Sequence, residues 1–459
     1  MAEVRPEAAW QGRRLHLIGV GGAGMSGLAA VADSLGAEVS GSDAARSPYY
    51  DRLAERGINV CIGHDPGNLP RYGGEVVVST AIGEDNPELA EARSRDLPVL
   101  HRRELLAEVA ALKRVIAVAG THGKTTTAGM VAHVLRDAGQ DPGYLIGGDL
   151  RSTGQNAGWG AGEWAVIEAD ESDRSFLALT PEVAVVTNVE LDHHSHWRSL
   201  GELRSAFAGF ATSAPAAIVW HPLLGELELS EHAELSSFGV EEGDVRADVI
   251  THGDLGSRFE VEGVELRLAV PGTHNVLNAL AAAAACLRTG LSVEQVARGL
   301  RSFSGARRRF EPRGRTATGA TVFDDYAHHP TEVRATLEAA RASAPGRVIA
   351  CFQPHLYSRT ERLAAEFGAA LGLADIVCVL EVYPARERAE DFPGVSGWSV
   401  AAAAADEGDG RPVYWMPTLD HAATLVGTIA REGDLVLTLG AGDVDRVAES
   451  IVVSGGQGR

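Results

Sequence analysis

Short apolar runs, each closed by glycine or polar residues, alternate along this chain with stretches of helical periodicity. The runs lie at residues 14–18, 38–42, 76–80 and 98–100, then at 114–119, 164–169 and 183–189, and finally at 320–323, 347–352 and 434–439. Several carry no polar alternation: Val115-Ile116-Ala117-Val118-Ala119 and Val183-Ala184-Val185-Val186 are apolar throughout. A strand with one wet face would alternate, so these runs predict strands covered on both faces. Between them fall alanine-rich segments such as 127–132 and 279–287, of helical character. Strand and helix in alternation predict an α/β fold with mainly parallel sheets.

At 459 residues the chain is too long for one hydrophobic core. The pattern divides it into segments 1–112, 113–313 and 314–459, with Leu112 near the first junction and Pro312 and Gly314 punctuating the second. In the first segment the strand at 14–18 runs into Gly19-Val20-Gly21-Gly22-Ala23-Gly24-Met25-Ser26, and the strand at 38–42 ends at Asp43. A glycine turn after one strand and an acid after the next is the arrangement of a Rossmann-like sheet. Taken alone, that loop suits an NAD-type cofactor and another diphosphate ligand equally well.

The second segment opens with the most specific signal in the chain. Gly120-Thr121-His122-Gly123-Lys124-Thr125-Thr126 follows an apolar strand and precedes a helical stretch. Glycines there let backbone N–H groups approach phosphates, and the helix start adds a favourable dipole. Lys124 can reach the β- and γ-phosphates of ATP, and the Thr125 hydroxyl can ligate Mg²⁺. The usual P-loop has a glycine where this chain has Val118, so the motif is a shortened variant.

Two further strands of this segment end in polar clusters, Glu168-Ala169-Asp170-Glu171-Ser172-Asp173 and Glu190-Leu191-Asp192-His193-His194. A parallel sheet would bring both to the edge that carries the phosphate loop, where oxygen ligands can complete an Mg²⁺ site. His274, Asn275 and Asn278 begin an alanine-rich helix. They can hydrogen-bond a base, although capping of the helix by Asn275 explains the pattern as well. The third segment repeats the theme, with Asp324-Asp325-Tyr326-Ala327-His328-His329, Gln353-Pro354-His355 and Gly440-Ala441-Gly442-Asp443 each following a strand.

Charge and cysteine use narrow the class. Acidic residues outnumber basic ones 62 to 41, for a formal charge of −21, which argues against nucleic acid as partner. The four cysteines are scattered without a CxxC pair and read as reduced core residues. The first fourteen residues are polar and of mixed charge, and the longest alanine-rich run is too short to span a bilayer. The expectation is a cytoplasmic protein.

Taken in order, the motifs at 16–27, 120–126, 168–173, 324–330, 353–355 and 440–443 resemble the Mur ligase family, and the resemblance spans the whole chain. It implies a Rossmann-like UDP-sugar domain at 1–112, a central ATPase domain at 113–313 and a Rossmann-like ligase domain at 314–459. It also implies ATP-dependent ligation of L-alanine to UDP-N-acetylmuramate by a monomer or weak homodimer, in cell-wall synthesis. Carried over by position, Thr125, Glu168 and His193 would hold Mg²⁺, and Lys124 would bind phosphate. Gly120, Thr121, His122, Gly123, Thr126, His274, Asn275, Asn278, Arg309 and Asp325 would surround the nucleotide. Gly19, Gly21, Gly22, Gly24, Met25, Ser26, Asp43, Ser79, His101 and Arg102 would hold the UDP-sugar. Tyr326, His328, His355 and Arg359 would face the amino acid and the reacting carboxylate.

Two positions depart from the family pattern: Ser195 stands where the family has Asp, and Leu356 where it has Arg. The second removes a cation from the amino-acid end and leaves room for a related ligase that adds another amino acid or a peptide. The implied chemistry is transfer of phosphate to a substrate carboxylate, then attack by an amine on the acyl phosphate, with His328 or His355 taking up the amine proton. Closure of the third domain would keep water out. An NAD-dependent dehydrogenase would leave the Lys124 motif unexplained, and a nucleotide switch would show no substrate-stimulated turnover.

Overall fold

The computed structural model describes residues 7–192, 197–229, 232–253, 256–408 and 410–453. The chain divides into two compact units: the first runs to Val249 and adds Phe259–Leu266 and Leu277–Phe303. The second comprises Ile250–Arg258, Arg267–Val276 and the chain from Ser304 onwards.

The first unit holds two sheets. Strands β1 (Arg14–Ile18), β2 (Glu38–Asp43), β3 (Asn59–Ile62), β4 (Glu75–Val78) and β5 (Val99–His101) form a five-stranded sheet in the order β3-β2-β1-β4-β5. All four pairings are parallel, as the apolar runs predicted. The second sheet is built on β6 (Arg114–Ala119), β7 (Gly143–Leu150), β8 (Gln155–Gly158), β9 (Trp164–Glu168), β10 (Val183–Val186), β11 (Ala216–Trp220), β12 (Leu235–Gly239) and β13 (Val245–Arg246). Its order is β13-β12-β11-β10-β6-β9-β7-β8, and only the β7–β8 pair is antiparallel. Central β6 and β10 are buried apart from Arg114, which is why their sequences read as unbroken apolar runs.

The β7–β8 hairpin joins the two sheets into one unit. Asn156 Nδ2 donates to the Ala23 carbonyl at 2.8 Å, and Arg52 forks onto the Asp149 carboxylate at 2.7 and 2.8 Å. A methyl group at Gly27 would press on Leu145 and Ala157, so the glycine lets the hairpin approach the helix Ala23–Ser34. Nothing in the hydrophobic pattern announced this hairpin.

Beneath the first sheet lies a buried polar network. Glu88 is fully buried and accepts from Ser42 Oγ at 2.5 Å, Asn68 Nδ2 at 2.6 Å and the Asp65 N–H at 3.1 Å, with His16 Nε2 at 3.3 Å. Burial pushes its carboxyl up, but the hydrogen bonds from His16, Ser42 and Asn68 outweigh that and bring it down to about 2. The folded value is depressed, so this stabilisation is complete above the ordinary glutamate value of 4.5 and lost as pH falls toward about 2. An acid titration followed by tryptophan fluorescence is expected to show this loss, and Glu88→Gln to flatten it. A variant that keeps the wild-type acid slope would assign the effect elsewhere.

A small sheet of β14 (Asp248–Gly253), β15 (Gly256–Val261) and β16 (Val264–Leu268) contributes residues to both units. The second unit is organised on β17 (Glu311–Arg315), β18 (Thr321–Asp325), β19 (Val348–Phe352), β20 (Ile376–Val379), β21 (Val413–Trp415) and β22 (Leu435–Leu439). Their order is β17-β18-β22-β19-β20-β21, parallel except at the β17 edge. The break drawn at residue 313 falls inside β17, and the continuous part of the unit begins at Ser304. Pro312 and Gly314 mark not a linker but an irregular edge strand, where the register shifts between them. Proline is tolerated on an edge, and glycine at a bulge, so the same residues punctuate either feature. Cys286, Cys351 and Cys378 are buried, Cys61 is half-buried, and all four are free thiols. Among the described residues no helix is long and apolar enough to cross a membrane.

Candidate active site

In the first unit the phosphate loop leaves β6 and enters the helix Lys124–Asp137. Gly120 has φ +142° and Gly123 has φ +78°, conformations that favour glycine. A side chain at Gly120 would collide with the Thr187 hydroxyl, and one at Gly123 with the Asn278 amide. The loop is braced from below: Asn188 Oδ1 accepts from the His122 N–H at 2.8 Å, and the Thr187 hydroxyl donates to the His122 carbonyl at 2.6 Å. Helix Lys124–Asp137 starts at Gly123 with no side-chain cap, so its first N–H groups face the loop.

Lys124 folds back over this loop. Its ammonium donates to the Gly120 carbonyl at 2.6 Å, the Thr121 carbonyl at 3.2 Å and Glu171 Oε2 at 2.7 Å. Burial disfavours the charge, yet Glu171, Asp170 and Glu168 more than offset it and raise the Lys124 value. The Glu171 carboxyl is pushed up by burial to about 7 even though Lys124 opposes the shift. Beside it, Thr125 Oγ1 donates to Glu168 Oε1 at 2.9 Å, and the Gly147 N–H donates to Glu168 Oε2 at 2.6 Å. The parallel registers of β9 and β10 with β6 bring the acids after both strands to the loop's edge, as the sequence predicted. His122 Nε2 lies 3.1 Å from Glu190 Oε2. His193 and Ser195 fall outside the described residues.

A cleft of about 460 Å³ opens along the C-terminal edge of the five-stranded sheet. Gly19, Gly22, Gly24, Met25, Asp43, Ser79 and Arg102 line it, all of them expected there. Arg102 lies across Gly24 and reaches Asp173 Oδ2 at 2.9 Å and Ser175 Oγ at 3.1 Å. Asp170, Ser172 and Asp173 line the same cleft, so the acidic cluster after β9 borders both the phosphate loop and the cleft.

Three expected cleft residues instead do local structural work. His101 caps the helix Arg102–Ala110, accepting from the Arg103 N–H at 3.2 Å, and is not part of the lining. The Ser26 hydroxyl donates to the Ala23 carbonyl at 3.0 Å. Gly21 donates its N–H to Asp43 Oδ2 at 2.8 Å, so this carboxylate braces the glycine loop as well as facing the cleft. Sequence reasoning missed His64, Thr80, Ala81 and Ile82 in the lining, because only the sheet order brings the turns after β3 and β4 beside the glycine loop.

In the second unit the polar ends of β18, β19 and β22 meet, since these strands are neighbours. The His328 ring stands edge-on to Tyr326 at 5.3 Å and to His355 at 6.0 Å. Arg359 Nη1 is 3.3 Å from His355 Nδ1, and His355 is stacked on Tyr383 at 5.8 Å. Arg309 lies over the Tyr326 ring and 3.5 Å from Glu332. Asp325 accepts from the N–H groups of Phe310 and Ala327 at 2.7 and 2.8 Å, and burial raises its carboxyl to about 6. Burial likewise lowers His274 to about 4. Asn275 is not a helix cap: the helix begins at Thr273, and the Asn275 amide donates back to the Pro271 carbonyl at 2.7 Å. Asn278, in the first unit, accepts from the Thr127 hydroxyl at 3.3 Å and packs against Gly123. Leu356 takes φ +72° at the start of the helix Tyr357–Leu371.

Comparison with known proteins agrees with this layout. Three family models match in succession: "Mur ligase family, catalytic domain" over residues 14–114, "Mur ligase middle domain" over 118–286, and "Mur ligase, glutamate ligase domain" over 308–442. The chain is 46% identical to a UDP-N-acetylmuramate–L-alanine ligase of Rubrobacter xylanophilus, over 96% of this chain and 99% of that protein. It is 48% identical to the enzyme of the same name from Kineococcus radiotolerans, over 96% and 95%. The crystal structure of UDP-N-acetylmuramate-alanine ligase from Thermotoga maritima matches with a TM-score of 0.82 at 31% identity, covering 95% of this chain and 98% of that one. With three family models matched in succession along the chain and these relatives aligned over nearly all of its length, the chain belongs to the Mur ligase family.

Proposed function

We propose that this protein joins L-alanine to the lactyl carboxylate of UDP-N-acetylmuramate, converting ATP to ADP and phosphate, in the synthesis of peptidoglycan precursors. The observation that carries the reading is 46–48% identity to ligases of that name across 96% of the chain. Within the first unit, the acidic cluster after β9 borders both the Lys124 loop and the cleft that would hold the UDP-sugar. That arrangement suits a reaction in which a carboxylate at one site meets a phosphate at the other.

The carboxylate attacks the γ-phosphate, giving an acyl phosphate and ADP; the amine then attacks the activated carbonyl and phosphate leaves. Two anions must approach each other in the first step, and Lys124 supplies fixed positive charge between them. The glycines at 120 and 123 leave room for phosphate oxygens where side chains would collide with Thr187 and Asn278. Thr125 and Glu168, paired at 2.9 Å beside the loop, are oxygen donors of the kind Mg²⁺ prefers. They would hold the ion, with His193 as third ligand, and the ion would neutralise phosphate charge. Glu168→Gln is expected to raise the Mg²⁺ concentration for half-maximal rate at least about 10-fold, measured by metal titration of turnover.

In the second unit Tyr326, His328, His355 and Arg359 are assigned to the amino acid and reacting carboxylate, with His328 or His355 taking the amine proton. His274, Asn275, Asn278, Arg309 and Asp325 are assigned to the nucleotide. We place the domains at 1–112, 113–313 and 314–459, and the active species as a cytoplasmic monomer or weak homodimer. Phosphate release from ATP and Mg²⁺, with and without each substrate, tests the reading. Release that needs both UDP-N-acetylmuramate and L-alanine, with an alanyl product by mass, supports it. Turnover only with a different amino acid would move the substrate and implicate Leu356.

A further inference from the structure

The phosphate loop owes the direction of its peptide groups to one residue behind it. Asn188 follows β10, and its backbone carbonyl accepts from the Thr121 N–H at 3.1 Å. Its side-chain oxygen accepts from the His122 N–H at 2.8 Å, and its side-chain nitrogen donates to the His122 carbonyl at 2.9 Å. A peptide N–H can only donate and a carbonyl only accept, so these two bonds fix which way the amide is turned. The Thr187 hydroxyl is a second donor to the His122 carbonyl, at 2.6 Å. The Thr121 hydroxyl ties the same segment from the loop side, donating to the Glu190 carbonyl at 3.0 Å and accepting from the Glu190 N–H at 2.9 Å.

In a trans peptide the N–H and the C=O point to opposite sides, so the bond made by one sets the direction of the other. The Thr121 and His122 N–H groups are turned down onto Asn188, which turns the Gly120 and Thr121 carbonyls up into the loop. Both receive the Lys124 ammonium there, at 2.6 and 3.2 Å. The third peptide is reversed. Its carbonyl, that of His122, is turned down onto Asn188 and Thr187, so the Gly123 N–H is turned up. Asn188 thus presents two carbonyls to the lysine and one N–H to an anion. The pattern needs an acceptor and a donor on one short side chain, which an amide has and a carboxylate lacks.

We propose that Asn188 is a positioning residue for phosphate transfer, its amide holding the 122–123 peptide with the Gly123 N–H aimed at the phosphates of the nucleotide. A carboxylate at this position would still accept from the His122 N–H but would face the His122 carbonyl oxygen to oxygen. Turning that peptide over relieves the repulsion and puts the carbonyl where phosphate oxygens belong. The inference rests on the reading of the loop as the seat of the ATP phosphates.

Titration calorimetry of the full-length protein with ADP and Mg²⁺ tests it, with UDP-N-acetylmuramate as a control ligand for the cleft. Asn188→Ala is expected to weaken ADP binding about 10-fold, the scale of a lost hydrogen bond that orders a donor. The nearly isosteric Asn188→Asp is expected to weaken it further, by about 100-fold, because two acceptors are left facing each other. Thr187→Val, which removes only the second donor, is expected to cost roughly 3-fold. In all three variants UDP-N-acetylmuramate binding is expected to be unchanged, and in turnover only the KM for ATP to rise with the loss of affinity. A residue that merely filled space would tolerate aspartate better than alanine. ADP binding by Asn188→Asp as tight as that by Asn188→Ala therefore overturns the proposal. Wild-type ADP affinity in Thr187→Val overturns the role given to the His122 carbonyl. Parallel loss of both ligands overturns the proposal too, and makes Asn188 a residue of the fold. Failure of the wild type to bind ADP overturns instead the reading of the loop.

Discussion

Replacing Lys124 by methionine is expected to lower kcat/KM by on the order of 10³-fold while leaving the protein folded. The ammonium is the positive charge of the phosphate loop, held 2.6 Å from the Gly120 carbonyl. Methionine keeps the length of the stem and removes that charge. The consequence for folding runs through Glu171, whose side chain is 2% exposed and pairs with Lys124 at 2.7 Å. A buried carboxylate without its cation takes up a proton more readily than it stays charged. Burial already raises Glu171 to about 7, and loss of Lys124 moves it further up.

The sign of the pH effect follows. A carboxyl raised in the folded state favours folding at low pH, and that contribution is lost as pH rises through the folded value. The variant is therefore expected to lose little thermal stability near pH 6 and progressively more above pH 7, read as Tm against pH. Adding Glu171→Gln is expected to remove the extra pH dependence without restoring turnover. Turnover within about 10-fold of wild type in Lys124→Met would contradict the role given to the charge.

Replacing Arg308 by methionine is expected to destabilise the second unit by about 3–5 kcal/mol, the range for breaking a buried ion pair from one side. Arg308 Nε donates to Asp324 Oδ2 at 2.9 Å, and its two terminal nitrogens donate to the Gly442 and Gly440 carbonyls, each at 2.8 Å. One guanidinium thus fixes the end of β18 to the turn after β22. Asp324 is fully buried, and its other oxygen accepts from the Thr438 hydroxyl at 2.6 Å. Burial raises its carboxyl, with Arg308 opposing the shift, so removing Arg308 leaves an uncompensated acid and two carbonyls without donors. Arg308→Lys cannot span all three acceptors and is expected to recover only part of the loss. Adding Asp324→Asn to Arg308→Met is expected to recover more, because the orphaned charge is gone. Denaturant midpoints report each step, and an Arg308→Met midpoint equal to wild type would show that the fork carries no net stability.

The two variants differ in how far the sequence announces them. Lys124 stands in a motif whose parts are adjacent, so strand, glycines, lysine and helix are legible from local order alone. The same holds for the α/β class, because burial of a parallel strand on both faces leaves an unbroken apolar run, as in β6 and β10. Order within the sheets is not written locally. It set His64, Ser79 and Arg102 along one cleft, and His328, His355 and Gly440 at neighbouring strand ends.

Burial and partner choice were likewise decided only in three dimensions. Ser42 meets Glu88 across 46 residues, Lys124 meets Glu171 across 47, and Arg308 meets Gly442 across 134. The ionisation of such groups depends on desolvation and on the partner's charge, and neither exists until the distant segment arrives. Pro312 could signal a linker or an edge strand, and His101 a ligand or a cap, because one residue type serves both ends. The sequence by itself determined the class, the strand positions and the phosphate loop, whose causes act over a few residues. Packing of segments far apart in the chain decided which polar side chains face the cleft and which are held beneath it.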